Sequence, residues 1–319
     1  MKILRKYSGT LGNYLIGILL LLIISVFYHD FGSVSHISVL LSDLAILGFL
    51  ALGQTFPVLT GGIDMSVPYT MCSVAVVINY GMNNFGWSLP LALAVGFALA
   101  FCIGLTNGFG IAYFRVHPMI MTYGVNSLLM GLLLTWTGGT AGGNTDEALH
   151  TFAKAKAGFL PVITICFIAA VALLMLVLVR SSYGKRLYAV GNSKRAAYFS
   201  GIHVRRTIMA AYIISSLCVA VGGIFMSGRV GLTYLGMGDS YMFITLAVVA
   251  IGGISMNGGS GHVVGTAGGA VIITILLSVL TVLKISTGMQ QMLYGVVLLG
   301  AIILESKENI FRKGKRHDY

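Results

Sequence analysis

The run ISVLLSDLAILGFLALGQTFPVL, residues Ile37–Leu59, decides the fold. It carries a single charge, Asp43, and is otherwise built from apolar and small polar side chains. At about 1.5 Å of rise per residue, a helix of this length crosses a hydrocarbon core of roughly 30 Å. Directly after it stands Gly61-Gly62-Ile63-Asp64-Met65-Ser66-Val67-Pro68. Two glycines there stop one helix, Asp64 or Ser66 can cap the next, and Pro68 falls in its first turn, where a missing N–H costs nothing.

Working outward, similar apolar runs recur on both sides. Ten predicted spans fit: Leu11–Tyr28, Ile37–Leu59, Ser66–Tyr80, Ser88–Phe114, Met119–Trp136, Phe159–Val179, Thr207–Gly228, Tyr241–Met256, Gly265–Leu283 and Met289–Leu304. The third and eighth are short and flanked by glycine, and dropping two short segments leaves an eight-span alternative of the same polarity. Over the 319 residues, 57% are apolar and 9% charged, too little polar surface for a water-soluble domain of this size. Alternating strands of the barrel type are missing, so helices are what remains to satisfy the backbone in lipid. The predicted fold class is therefore all-α: a polytopic membrane helix bundle of about ten spans with broken, Gly-rich helices, forming one domain over residues 1–319.

The formal net charge is +11, which raises nucleic acid as a partner. The placement of the bases argues against it. They cluster in Met1–Lys6, Arg180–Arg206 and Lys307–Arg316, between hydrophobic blocks, as topology signals do. An even number of spans puts both termini in the cytoplasm, together with the loops at Arg115 and Arg180–Arg206. Of all lysines and arginines, Lys154, Lys156, Arg229 and Lys284 alone then lie outside. Basic residues precede the apolar run Leu15–Phe27 without an A-x-A cleavage signal behind it, so the first span is read as uncleaved. Cys72, Cys102, Cys166 and Cys218 lie in or beside apolar runs without CxxC spacing and read as small packing residues, with no metal site.

Two loops stand out. The outer one, 137–158, begins Gly-rich and continues into mixed charges around a short amphipathic helix, Glu147–Lys156. The inner one, 180–206, carries Asn192 and Ser193 as caps, Lys194–Ser200 at helical composition and Gly201 as a stop, which predicts a two-turn helix along the membrane surface.

Three constellations can carry function. Asp64 in the first Gly block must cap, pair or face a wet cavity, because an isolated carboxylate at mid-bilayer costs about 2.5–3.5 kcal/mol. The second block, Gly252-Gly253-Ile254-Ser255-Met256-Asn257-Gly258-Gly259-Ser260-Gly261, allows close backbone approach or a broken helix of the kind that lines transport pathways. It echoes the first block, GGISMN beside GGIDMS, a trace of internal repetition. The third is the polar minority within spans: Asp43, Gln54, Thr55, Asn107, Asn126, Ser127 and Thr135, with Phe56 and Trp136 as aromatic faces. Such residues serve interhelical hydrogen bonds or contact a polyhydroxylated solute. There is no G-x-x-x-x-G-K-[ST] cradle for ATP, no HExxH and no nucleophilic triad order, so the chain is read as no enzyme by itself.

GGIDMS, the inner stretch YGKRLYAVGNSKRAAYFSGI (Tyr183–Ile202) and AIGGISMNGGSGHVVGTAGGA (Ala250–Ala270) occur in that order. Together they resemble the permeases of ribose-type ABC sugar importers, roughly from Leu44 to Leu304. Where such permeases usually carry glycine, this chain has Pro68.

The resemblance implies a complex: a second permease protomer, identical or paralogous, a cytoplasmic ABC ATPase with two nucleotide sites, and an extracytoplasmic solute-binding protein. ATP and Mg would belong to the ATPase, and this chain would bind no cofactor. The coupling helix that docks on the ATPase maps to Gly191, Asn192, Ser193, Lys194, Arg195 and Gly201. Candidate pathway residues are Gln54, Phe56, Asp64, Ser66, Asn126, Ser255 and Asn257. The expected role is import of a monosaccharide or related small polar solute across the cytoplasmic membrane by alternating access. The alternative is a stand-alone secondary transporter or channel, whose coupling residue would have to be Asp43 or Asp64.

Overall fold

In the computed structural model, residues 2–140, 143–286, 288–296 and 299–300 are described. Helix follows helix: α1 (Lys2–Phe27), α2 (Val34–Leu59), α3 (Val67–Phe85), α4 (Leu89–Ala112), α5 (Pro118–Thr137), α6 (Glu147–Lys154), α7 (Val162–Arg180), α8 (Ser182–Asn192), α9 (Lys194–Phe199), α10 (Val204–Val230), α11 (Tyr241–Ile251) and α12 (Val263–Val282). Residues 288–296 are helical as well. Residues 297–298 and 301–304 of the predicted last span, and the basic stretch Lys307–Arg316, lie outside the described residues.

Six of these helices, α2, α4, α5, α7, α10 and α12, are long and apolar enough to cross a membrane. The apolar part of α1, Gly12–Phe27, and α11 are shorter. Boundaries follow local chemistry. The Ser33 side chain accepts from His36 N at 3.2 Å and starts α2. Pro68, Pro90 and Pro118 all fall in first turns, where the ring fits and no intrahelical N–H is lost. α3 continues past the predicted Tyr80 to Phe85 and stops at Gly86, whose φ of 64° is a left-handed cap. α11 is shorter than predicted. It ends at Ile251 because Gly253 turns into the left-handed region, and turns occupy the stretch up to Val263.

α10 is the centre of the bundle and packs along α4 and α2. The close fit to α4 needs small residues: a β-carbon on Gly104 would sit 2.6 Å from Tyr212 O and 2.2 Å from Ser216 Oγ. Large apolar side chains such as Phe101, Leu128, Leu132, Ile168, Leu173 and Leu176 point outward, as they do where the solvent is lipid. Ser127 and Thr135 share that outer face of α5, against the expectation that polar residues of a span turn inward. Thr135 is self-satisfied, donating to Gly131 O one turn back at 2.9 Å.

Two small antiparallel ladders close one end of the bundle, β1 (Gly143–Asn144) with β4 (Leu232–Thr233), and β2 (Lys156–Ala157) with β3 (Leu160–Pro161). α6 lies between them in sequence. It matches the predicted amphipathic helix, is capped by Asp146, and buries Leu149 and Ala153 against α10.

Candidate functional site

At the other end the two glycine blocks, far apart in sequence, meet. Gly259 N donates to Leu59 O, the last carbonyl of α2, at 3.0 Å. A β-carbon on Gly61 would sit 3.1 Å from Asn257 O. The third motif joins them. A β-carbon on Gly191, near the end of α8, would lie 2.0 Å from Leu59 O and 2.4 Å from Gly259 N, so only glycine fits there. Asn192 donates to Gly259 O at 3.1 Å, and the Tyr188 hydroxyl donates to Gly261 O at 2.6 Å. Three segments that sequence alone leaves separate thus form one junction.

Below this junction lies a buried polar node. The Asp64 carboxylate accepts through Oδ1 from Ser66 N at 2.9 Å and Ser66 Oγ at 2.6 Å, and through Oδ2 from Ser215 Oγ of α10 at 2.8 Å. Asn107 of α4 donates to Ser66 Oγ at 2.9 Å. Thr122 of α5 accepts from Met65 N at 2.9 Å. The Gln54 amide of α2 spans the Asp64 backbone, donating to Asp64 O at 2.9 Å and accepting from Asp64 N at 3.2 Å. Four helices are therefore tied to one heptapeptide break. Ser66 holds the N-cap position of α3, yet its hydroxyl makes no cap bond, because it is turned to Asp64 instead.

Of the candidate pathway residues, Gln54, Asp64 and Ser66 belong to this node. Asn126 stands a turn away, accepting from Tyr69 N at 3.2 Å. Phe56 is fully buried in the core, Ser255 is half-buried and Asn257 is exposed on the second break. Ser215, Thr122 and Tyr188 escaped sequence reasoning. A lone serine or threonine in an apolar helix carries no signal for which distant partner it will meet. A further link, from Thr55 Oγ1 of α2 to Thr266 Oγ1 of α12 at 2.8 Å, gives one of the polar residues named from sequence its partner.

The predicted surface helix is α9. Ser193 caps it by accepting from Ala196 N at 3.2 Å, and Gly201, at φ 77°, ends it. It buries Ala197 and presents Lys194, Arg195, Tyr198 and Phe199 to the outside. α8, which the sequence reading left within the loop, is a helix of its own and carries α9 at its end. Outside the spans, burial on α8 pushes the Tyr183 phenol above its ordinary value. Asp43, by contrast, is half exposed at the opposite end and ion-paired with Arg229.

A family described as branched-chain amino acid transport system / permease component matches residues 36–302. The chain belongs to this permease family. Among relatives of this permease, the ribose import permease protein RbsC of Bacillus subtilis (strain 168) is 32% identical, over 94% of this chain and 93% of its own length. The galactose/methyl galactoside import permease protein MglC of Escherichia coli (strain K12) is 30% identical over 92% and 93%. The autoinducer 2 import system permease protein LsrC of Salmonella typhimurium is 31% identical over 86% and 79%. No solved structure matches. With its apolar helices and these relatives, the permease is a multi-pass membrane protein.

Proposed function

We propose that this permease is the membrane-spanning subunit of an ABC importer for a monosaccharide or related small polar solute, driven by ATP hydrolysis on a separate cytoplasmic ATPase. The observation that carries the reading is the junction of the α8–α9 elbow with both glycine breaks. Force applied to exposed α9 reaches Leu59 O and Gly259 through Gly191 and Asn192 without a flexible linker between. A packed junction has discrete arrangements rather than a continuum, which suits alternating access by rocking of two protomers.

Charge supports the same orientation. Beyond α1, the described ionic residues at the junction end are Arg115, Arg180, Lys185, Arg186, Lys194, Arg195, Arg205 and Arg206, with Asp64 the buried exception. By the positive-inside rule that end faces the cytoplasm, and ten spans return both termini to it. Relatives named for ribose, galactose and autoinducer 2 import support a sugar-like cargo. A solute-binding protein would then dock on the outer end, over 137–158 and the segment before α11. The ATPase supplies both nucleotide sites with their ATP and Mg, and a second protomer, identical or paralogous, completes the pathway. The secondary-transporter reading loses ground, since Asp43 is a surface ion pair and Asp64 already accepts from two hydroxyls and a backbone N–H.

The test uses membranes holding the chain together with its ATPase. Lys194→Glu with Arg195→Glu should abolish both retention of the ATPase and solute-stimulated hydrolysis. Unchanged coupling in that variant, or solute accumulation by the purified chain under an ion gradient alone, overturns the reading.

A further inference from the structure

Beside α9 opens a cavity of about 1190 Å³ between the α4–α5 turn and the start of α10. Its wall carries Arg115, His117, Lys194, Arg195, Arg205 and Arg206, and no acidic residue lines it. Among the described residues none of these arginines and lysines is in an ion pair. Arg115 is held at φ 57°, a conformation unusual for a side-chain-bearing residue, in the turn that closes the cavity. The Arg205 guanidinium stacks 5.2 Å from the centre of the Tyr113 ring, which fixes it in the wall.

A second cavity adjoins this one and has the opposite character. About 330 Å³ in volume, it is lined by Leu105, Thr106, Phe109, Gly110, Phe114 and Met121 on α4, the turn after it and α5. The Phe109 ring stacks on Tyr113 at 4.8 Å, so the two cavities share a wall. Phe114 and Ile120 around this groove are largely exposed, as lipid-facing residues are.

From this pairing we propose that the basic cavity binds the phosphodiester headgroup of an anionic phospholipid, with an acyl chain lying in the α4–α5 groove. A free phosphate would need the basic cavity alone, whereas an amphiphile needs both, in this order from membrane surface to interior. Residues 301–319 are a poor alternative occupant. Their Lys307, Arg312, Lys313, Lys315 and Arg316 outnumber Glu305, Glu308 and Asp318, so they repel the site on balance. The proposal rests on the reading of the chain as a membrane permease, yet its tests record lipid retention and not transport, so each can fail without the other.

The full chain is purified, exchanged into phosphatidylcholine nanodiscs with and without phosphatidylglycerol, and its retained lipid identified by native mass spectrometry. Phosphatidylglycerol should be retained selectively. In the triple variant Arg115→Gln, Arg205→Gln, Arg206→Gln its affinity should fall on the order of a hundredfold, at ~1 kcal/mol for each base. Lys154→Gln with Lys156→Gln at the other end should change nothing. Equal retention in both variants overturns the assignment, and so does inorganic phosphate displacing the retained lipid at equal concentration. If the triple variant does not fold, the wild-type chain still decides. Phosphatidylglycerol with a photoreactive acyl chain should label peptides within 105–121, and labelling confined to other helices sinks the proposal.

Discussion

The two ends of the bundle are held together by different physics. At the junction end, backbone meets backbone: Gly259 N on Leu59 O, Gly191 against both, and a buried carboxylate beneath them accepting from Ser66 beside it and from Ser215 of α10. At the other end, several contacts run through side chains, buried at Asn79 and half exposed at Asp43. Asn83 donates to Asn144 O at 2.7 Å, Asn79 to Thr145 Oγ1 at 2.9 Å, the His150 ring meets Gly228 O at 2.7 Å, and Arg229 pairs with a half-exposed Asp43. The first arrangement tolerates no change of side-chain volume. The second yields to solvent and to partners. The proposed importer, driven from one side and loaded from the other, would use this asymmetry, because a stiff end transmits force and a compliant end adapts to a docking protein.

Substitutions can break the comparison, and the largest effect belongs to the node. Asp64→Ala removes an acceptor of three hydrogen bonds and strands the hydroxyl of Ser215. It should cost on the order of 4 kcal/mol, read as a drop in thermal midpoint in detergent. Next comes Gly191→Val, which forces a side chain into the Leu59 carbonyl. It should destabilise by about 1–3 kcal/mol and uncouple ATPase stimulation from solute, while binding of the ATPase to α9 persists. If coupling survives in that variant, the junction is not the transmission point.

A smaller effect is expected of Ser193→Ala, which removes the cap of α9. About 1 kcal/mol of local stability should vanish, visible as faster amide exchange over 194–199 with the rest of the chain unchanged. Smallest of all is Arg229→Gln at the compliant end. Its partner is half exposed, so the loss should stay within roughly 0.2–1 kcal/mol and shrink further with added salt. A larger loss there, with a small one at Asp64, would reverse the assignment of stiff and compliant ends.

Much of the bundle was legible in advance because its signals are local. Helices in lipid need unbroken apolar runs, and those runs placed α3, α4 and α5 within about five residues, with Pro68 falling in the first turn of α3 as expected. The mixed charges of the outer loop likewise announced α6 as a short amphipathic helix, whose cap, Asp146, the structure supplied. The Ser193 cap and Gly201 stop announced α9 in the same way. The reading slipped for different reasons: α11 stopped early at glycines that serve a distant junction, Ser66 gave up its cap bond to nearby Asp64, and Ser127 and Thr135 turned outward on α5, where Thr135 is satisfied within its own helix.

The sequence by itself determined that the chain is a helical membrane protein, roughly where most of its long helices run, and which segments gather positive charge. Each of these depends on composition or spacing within a few turns of one helix. The tertiary structure alone decided that the two glycine blocks and the α8–α9 elbow touch, that Asp64 is satisfied by Ser215 from across the bundle, and that a basic cavity shares a wall with an apolar groove. Those outcomes depend on which helix faces meet, and a meeting between residues 64 and 215 is fixed by the packing of α10 against its neighbours, not by any pattern either residue carries.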